Sequence, residues 1–224
     1  MKLKQTFFYT VTAVVLSFAL LSCNSNTSEK KTKSGVMHFR LLQFSETPFD
    51  IEKGTHELTD KEARTVNNYK FTYDVSGRLT EVAYCRGDEI LSYGSLGGAA
   101  RITYTYDGDK QVKHFYNKVN EPITSGGVFS AEYTLDDKGF RTGLVFFDED
   151  GNPVENRNNI NYYTWKELEN GLLQERRYNL ANEETILNPF CPFYELRFTY
   201  DDQGYAIRMS NYQADPLDKY DHSV

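Results

Sequence analysis

The chain has 224 residues with 25 basic and 32 acidic side chains, a net charge of −7. That balance, with no cluster of Lys and Arg, excludes a basic nucleic-acid footprint. The length suits one domain with a sizeable core, and after the first residues no apolar run approaches the ~20 residues a membrane-spanning helix needs.

Lys2 and Lys4 precede the apolar stretch "FFYTVTAVVLSFALLS", which is too short for a convincing span and reads as an export signal over residues 1–22. It closes on Leu20-Leu21-Ser22-Cys23. This segment resembles the lipobox of bacterial lipoproteins, with an aliphatic residue three before the cysteine and a small one directly before it. Leu21 is bulkier than that family's commonest choice. The resemblance implies cleavage before Cys23, lipid attachment to its thiol and acylation of the new amine. Acyl chains contribute about 0.8 kcal/mol per buried CH₂, so two or three of them anchor stably where one does not. Losing residues 1–22 removes two lysines and no acid, leaving the remainder two charges more negative than the whole chain's −7.

Residues 23–35, "CNSNTSEKKTKSG", are polar and poor in apolar groups, the composition of a flexible tether. One folded domain is expected over 36–224. Within it, 36–68 stands apart: "VMHFRLLQF" (36–44) alternates like a strand, and Thr59 three residues before Glu62 is a capping-box pattern that predicts a short helix in 58–68. A terminal unit that departs from its repeat usually covers the open end of the core, so 36–68 is expected to be an N-terminal cap.

From residue 69 the chain repeats. "YKFTYDVSGRL" (69–79), "ITYTYDGDKQV" (102–112), "AEYTLDDKGFR" (131–141), "YTWKELENGLL" (163–173) and "LRFTYDDQGYA" (196–206) align on Gly77, Lys110, Gly139, Gly171 and Gly204, at spacings of 29–33 residues. Before each turn apolar and polar residues alternate with period two, the signature of a half-buried strand. In Asp-x-x-Gly the carboxylate accepts backbone N–H groups that close the turn, and glycine takes a positive φ. Asp74, Asp107, Asp136, Asp148 and Asp201, with Gly77, Gly139, Gly151, Gly171 and Gly204, are therefore structural turn residues. The expected architecture over 69–217 is mainly β: an antiparallel meander of about five β-hairpins, forming a curved open sheet or a solenoid-like array. The stripe Phe71, Tyr104, Tyr133, Trp165 and Phe198 should point into a shared core. Thr72, Thr103, Thr134, Thr164 and Thr199 should face solvent or a ligand groove, a possible binding face. The polar end, "ADPLDKYDHSV" (214–224), is expected to blunt the far end.

"YDVSGRLT" (73–80) resembles the YD repeat of Rhs-type bacterial surface and toxin proteins, and "FDEDGNPV" (147–154) resembles an Asp-x-x-Gly-Asn-Pro repeat of Bacteroides-type surface proteins and lipoproteins. The resemblance spans about 69–217 and implies a β-hairpin array. Rhs arrays wind long shells around a cargo domain, and five copies fall short of that.

Sequence signatures of catalysis are weak. In "YGSLGGAA" (93–100) Gly94 directly precedes Ser95, which is not a nucleophile elbow and reads as an inter-repeat loop. The pairs Asp136/Asp137, Asp148/Asp150 and Asp201/Asp202 have the chemistry for glycoside acid/base work but sit in turns where water holds them ionised. "DEDGN" (148–152) has its glycine fourth where an EF-hand loop needs it sixth. Cys85 and Cys191 are a possible disulfide in an extracytoplasmic compartment, or two buried thiols. His38, His56, His114 and His222 are scattered, and no Cys/His spacing predicts a metal.

These observations lead to the expectation of a lipid-anchored lipoprotein of the bacterial cell envelope, extracytoplasmic and on the outer membrane. Its expected role is non-enzymatic binding or scaffolding, with no cofactor. Its partners would be the membrane, through the anchor, and an unidentified glycan, peptide or envelope protein, but not nucleic acid. The alternative is an immunity or inhibitor lipoprotein acting through the acidic loop "DEDGNPVEN" (148–156), with a glycan-active enzyme behind it. Aromatics form 15% of the chain, and Tyr84, Tyr116 and Tyr212 are candidates for a sugar-stacking second face, against core packing.

Overall fold

The computed structural model describes residues 35–43, 50–92, 96–169, 171–190, 192–200, 206–212 and 222–223. Among these the chain is mainly β. The strands are β1 (Gly35–Leu42), β2 (Gly54–Leu58), β3 (Asn68–Tyr73), β4 (Leu79–Arg86), β5 (Glu89–Ile90), β6 (Arg101–Asp107), β7 (Lys110–Tyr116), β8 (Ser130–Leu135), β9 (Arg141–Phe147), β10 (Tyr162–Glu167), β11 (Leu173–Tyr178), β12 (Glu195–Tyr200), β13 (Ala206–Tyr212) and β14 (His222–Ser223), with one helical turn, α1 (Asp60–Ala63). They form one open antiparallel sheet in the order β14-β13-β12-β11-β10-β9-β8-β7-β6-β4-β3-β1-β2, with β5 paired to β4.

Alternation sets the faces. Phe71, Tyr104, Tyr133, Trp165 and Phe198 are each at most 4% exposed and belong to one cluster that runs from Phe39 in β1 to Phe198 in β12. Burying each such ring is worth roughly 1.5–3 kcal/mol, which fixes register, because a one-residue slip would turn the row outward. Twisting strands coil the sheet about this inner face. The connections between hairpins complete the core with Leu96, Val128, Ile160 and Leu187, all buried in the same cluster. Segment 93–100, read from sequence as a flexible loop, thus contributes Leu96, Ala99 and Ala100 to the buried set, and Leu96 bridges Ala99 across Gly97-Gly98.

Residues 36–68 extend the sheet: β1 pairs with β3 through Phe39↔Tyr69, and β2 adds to β1 through Phe39↔Glu57. The capping box forms at α1, where Thr59 Oγ1 accepts the Glu62 N–H and the Glu62 carboxylate accepts the Thr59 N–H. The helix is a single turn because Asn68 already begins β3, with β-branched Thr65 and Val66 just before it. Asn68 Nδ2 donates to the carbonyls of Ala63, Val66 and Cys85, holding α1 against β3 and β4. At the other end, β14 pairs with β13 through Ser210↔Ser223 and Asn211↔His222, a strand where the polar sequence had suggested only a blunt end.

One turn differs from its expected copy. The β3–β4, β8–β9 and β12–β13 pairs each carry a register shift beside the turn, at Thr72/Tyr73, Thr134/Leu135 and Thr199/Tyr200. The β10–β11 pair has none over its paired residues, and neither has β6–β7, where Asp107 faces Lys110 across only Gly108 and Asp109. That two-residue turn needs no bulge, so Asp107 and Lys110 are strand residues and Gly108, at φ 58°, supplies the left-handed conformation.

Candidate functional site

The inner face of β6 to β9 is built by register: Tyr104 faces Lys113, Gln111 faces Tyr133, and Arg141 opens β9 opposite Leu135. Two cations thus lie on a face otherwise made of rings, aliphatic side chains and Gln111. Residues 50–53, between β1 and β2, cross this face and bring their counterions. Lys113 Nζ lies 3.1 Å from Asp50 Oδ2 and 2.6 Å from Glu52 Oε1. The Tyr133 hydroxyl donates to Asp50 and the Tyr104 hydroxyl to Glu52. The Arg141 guanidinium lies over the Tyr133 ring at 3.5 Å, its Nη1 donates to the Asp50 carbonyl at 2.7 Å, and its Nε donates to Gln111 Oε1 at 2.8 Å. Asp50 holds φ 53°, a left-handed conformation that Asp tolerates better than most residues.

Electrostatics lock these groups in their charged forms. Burial alone would push the Lys113 ammonium down, but Asp50 and Glu52 outweigh it and hold its pKa above the ordinary value. Partial burial would raise the half-exposed Asp50 carboxyl, but the charges of Lys113 and Arg141 and the Tyr133 hydrogen bond bring it below the usual carboxylate range. Burial and the Asp50 charge push the Tyr133 phenol up, so it stays a donor. Two carboxylates that share one ammonium and accept phenol protons are not an acid paired with a base.

Beside this lock a cavity of about 390 Å³ opens toward the β3–β4 and β8–β9 turns, lined by Ile51, Arg78, Leu79, Tyr106, Gln111, Leu135, Lys138, Gly139, Phe140 and Arg141. Tyr106 is its floor: its hydroxyl donates to the Leu79 carbonyl at 2.8 Å and accepts from Gln111 Nε2 at 2.6 Å, and the Arg78 guanidinium covers its ring at 4.4 Å. A second cavity of about 260 Å³ shares Lys138, Phe140 and Arg141 and adds Trp165, Leu173 and Tyr200.

A second charged cluster lies on the inner face of β10 to β12. Trp165 Nε1 donates to Glu175 Oε2 at 2.7 Å, Arg177 Nη1 meets Glu175 Oε1 at 3.2 Å, and Arg177 Nη2 donates to the carbonyls of Phe193 and Tyr194. Arg177 is 0% exposed. Burial, and then the Glu175 charge, push the Tyr200 phenol up.

The loops that begin at Asp74, Asp136 and Asp148 share one arrangement, whereas Asp107 is the last residue of β6. In the loop from Asp74, Oδ1 accepts the N–H groups of Ser76 and Arg78, the Asp74 N–H meets the Arg78 carbonyl, and Gly77 sits at φ 80°. The backbone bond from Arg78, then its side chain, hold the Asp74 carboxyl below its ordinary range. Asp136 and Asp148 repeat this arrangement with Gly139 and Gly151. Gly171 does so without an aspartate, since Leu168 occupies the first position, with backbone bonds from Leu168 N–H to the Leu172 carbonyl and from Gly171 N–H to the Leu168 carbonyl. Three further loops use asparagine at both key positions: Asn117 with Asn120 at φ 68°, Asn156 with Asn159 at φ 58°, and Asn179 with Asn182 at φ 63°. Sequence reasoning keyed on Gly missed these. The signal was Asn-x-x-Asn, because Asn both accepts like Asp and tolerates left-handed backbone.

The threonine row does not form one groove. Thr72 and Thr103 both face Glu81, and across β7 the line from Thr103 passes His114 to Ser130, not to Thr134. Thr134 faces Lys110 and, through Gly143, Thr164, whose line continues past Arg176 to Glu195 and not to Thr199. Stagger between hairpins splits the row, and the outer face is crossed by ion pairs such as Arg101–Glu81 and Arg176–Glu195 instead. Of the second-face tyrosines, Tyr84 packs on Tyr69 at 5.1 Å, on the inner side, while Tyr116 lies outside beneath Arg101. Cys85 is a free buried thiol, pushed up by burial, with Sγ 3.6 Å from Asn68 Oδ1. Cys23, Cys191, Asp201 and Gly204 lie outside the described residues, as does the side chain of Tyr212.

Lys113, Arg141, Asp50, Glu52, Glu175 and Arg177 were not singled out by sequence. Charged residues in an alternating strand read as solvent-facing, and only the distant 50–53 segment reveals two of them as partners. No protein-family model and no curated protein matches the chain. Among the described residues no group of His, Cys, Asp and Glu is placed to hold a metal, and no helix is long and apolar enough to cross a membrane.

Proposed function

We propose that this chain is a lipoprotein of the bacterial envelope, anchored through Cys23, whose β-domain is a non-enzymatic binding module. Its five hairpins are copies of one YD-like repeat, and residues 36–68 are the terminal unit that finishes the array. The observation that carries the non-enzymatic reading is how the carboxylates are engaged. Asp136 and Asp148, offered by sequence as acid/base groups, accept backbone N–H groups of their own turns, and Asp50 and Glu52 are held by Lys113. The cavity beside them is lined by rings, aliphatic groups and cations, the makings of a binding site.

The anchor is tested by growing cells with labelled palmitate and partitioning the protein between detergent and water. The wild type should carry label and enter detergent, and Cys23→Ser should be unlabelled and either unprocessed or aqueous. A Cys23→Ser protein that still enters detergent after leader cleavage would overturn the lipoprotein reading. The inhibitor reading is favoured by one feature, the tightly bonded loop from Asp148, which presents Glu149 and Asp150 to solvent.

A further inference from the structure

The cavity beside Tyr106 has a chemistry unlike the rest of the molecule. The chain carries a net charge of −7, yet the side chains lining this cavity include Arg78, Lys138 and Arg141 and no carboxylate. Arg78 is already engaged by Asp74 at 2.8 Å, and Arg141 is turned toward Gln111 and Asp50. Lys138 is different: its ammonium makes no ion pair among the described residues, and its own backbone N–H donates to Asp136 Oδ1. Beside it stands Phe140, a ring left 55% exposed at the mouth. The floor is Tyr106 with Leu79 and Leu135 around it. An exposed aromatic beside an unpaired cation, over an apolar floor, is a surface with one polar demand and one apolar one.

We propose that this cavity binds a small amphiphilic carboxylate, its apolar body against Phe140, Leu135 and Tyr106 and its carboxylate on Lys138. A volume of about 390 Å³ is at the lower end of the range for ligand sites and suits one ring or short aliphatic body with its acid group. Charge complementarity favours the anion, since it adds an attraction to the Lys138 ammonium that a neutral molecule of the same shape lacks. The shared chemistry, an apolar group ending in a free carboxylate, is found both in small aryl or alkyl acids and at the C-terminus of a peptide. This assignment rests on the binding reading above and gives it a ligand class.

The test is calorimetric titration of the full chain in non-ionic detergent with 3-phenylpropionate, with 3-phenylpropanol, and with N-acetyl-Ala-Phe as free acid and as C-terminal amide. Each probe is recovered afterward by chromatography. The expected result is saturable binding of one or both acids at least tenfold tighter than their neutral counterparts, lost in Lys138→Glu and weakened in Phe140→Ser. Lys118→Glu, at the opposite end of the sheet, should leave binding unchanged. Tighter binding of phenylpropionate than of the peptide acid points to a free small acid, and the reverse points to a peptide end. Binding of neither acid, equal binding of acid and amide, or unchanged binding in Lys138→Glu would overturn the ligand assignment while leaving the anchored binding module standing. Recovery of a chemically altered probe would instead overturn the non-enzymatic reading. All three substituted positions are exposed, so matching thermal unfolding of the variants and wild type separates lost binding from lost fold.

Discussion

The two charged clusters of the inner face solve one problem in different ways. Arg177 is neutralised by Glu175, two residues away on the same strand, and its Nη2 reaches the carbonyls of Phe193 and Tyr194, while its buried Nε has no hydrogen-bond partner among the described residues. Lys113 has no acid on its own hairpin's inner face and is neutralised by Asp50 and Glu52, delivered by a segment from the far end of the sheet. A buried cation does not by itself stabilise a fold, because its desolvation costs several kcal/mol that only well-placed partners offset. The local solution secures one edge of the sheet. The distant one ties the β1–β2 connection to β6–β9, so it contributes long-range order as well as charge balance.

That contrast predicts the largest effect at Arg177. Arg177→Met leaves Glu175 buried without its cation and should cost about 3–5 kcal/mol in urea unfolding. Lys113→Met should cost less, about 2–3 kcal/mol, because Asp50 remains half exposed and solvent screens it. If Lys113→Met cost more than Arg177→Met, the ranking of local over distant pairing would be reversed.

Acid and base separate the two further. Asp50 is lowered from 3.8 in the fold, so its contribution is present above that value and fades as pH falls through its folded pKa. Lys113 is raised above 10.5, so its contribution is complete below that value and is lost only as pH rises beyond it. Stability supplied by the lock should therefore be flat between about pH 5 and pH 9 and decline on the acid side. The difference between wild type and Lys113→Met, followed by thermal unfolding, should shrink at pH 3. A constant difference down to pH 3 would remove Asp50 from the account.

Smaller effects belong to the turns, which tie both regions together. Gly77→Val forces a β-branched residue to φ 80° and should cost more than the ~1 kcal/mol of an ordinary backbone site. Lys110→Gly should destabilise by about 0.5–1 kcal/mol, because it puts glycine into a strand and removes the 2.7 Å contact to Glu132. Asn120→Gly should change stability by only a few tenths of a kcal/mol, since both residues accept a left-handed backbone.

Much of the frame could be read from the chain. Period-two alternation located the strands at Phe71, Tyr104, Tyr133, Trp165 and Phe198, and Asp-x-x-Gly located the turns at Asp74, Asp136 and Asp148, because those signals are local. Lys110 was misplaced for a physical reason: the "YDGDK" turn closes in two residues, and alignment on a longer consensus shifted it into a glycine's slot. The five threonines are exposed or half-buried but do not line up into one groove, because stagger between hairpins is a property of pairing, which no single hairpin encodes. The candidate site was the least visible, since Lys113 and Asp50 are brought together only when the sheet coils and the 50–53 segment crosses it.

The claim that these interior charges are a structural lock is tested most directly by one comparison of unfolding free energies: wild type, Lys113→Met, and Lys113→Met combined with Glu52→Gln. Removing one cation leaves two carboxylates against Arg141 alone, while removing the Glu52 charge as well leaves Asp50 balanced by Arg141. The account predicts that the combined variant regains more than half of the stability lost in Lys113→Met. A combined variant less stable than Lys113→Met would show that Glu52 contributes independently of the lysine and would contradict the lock.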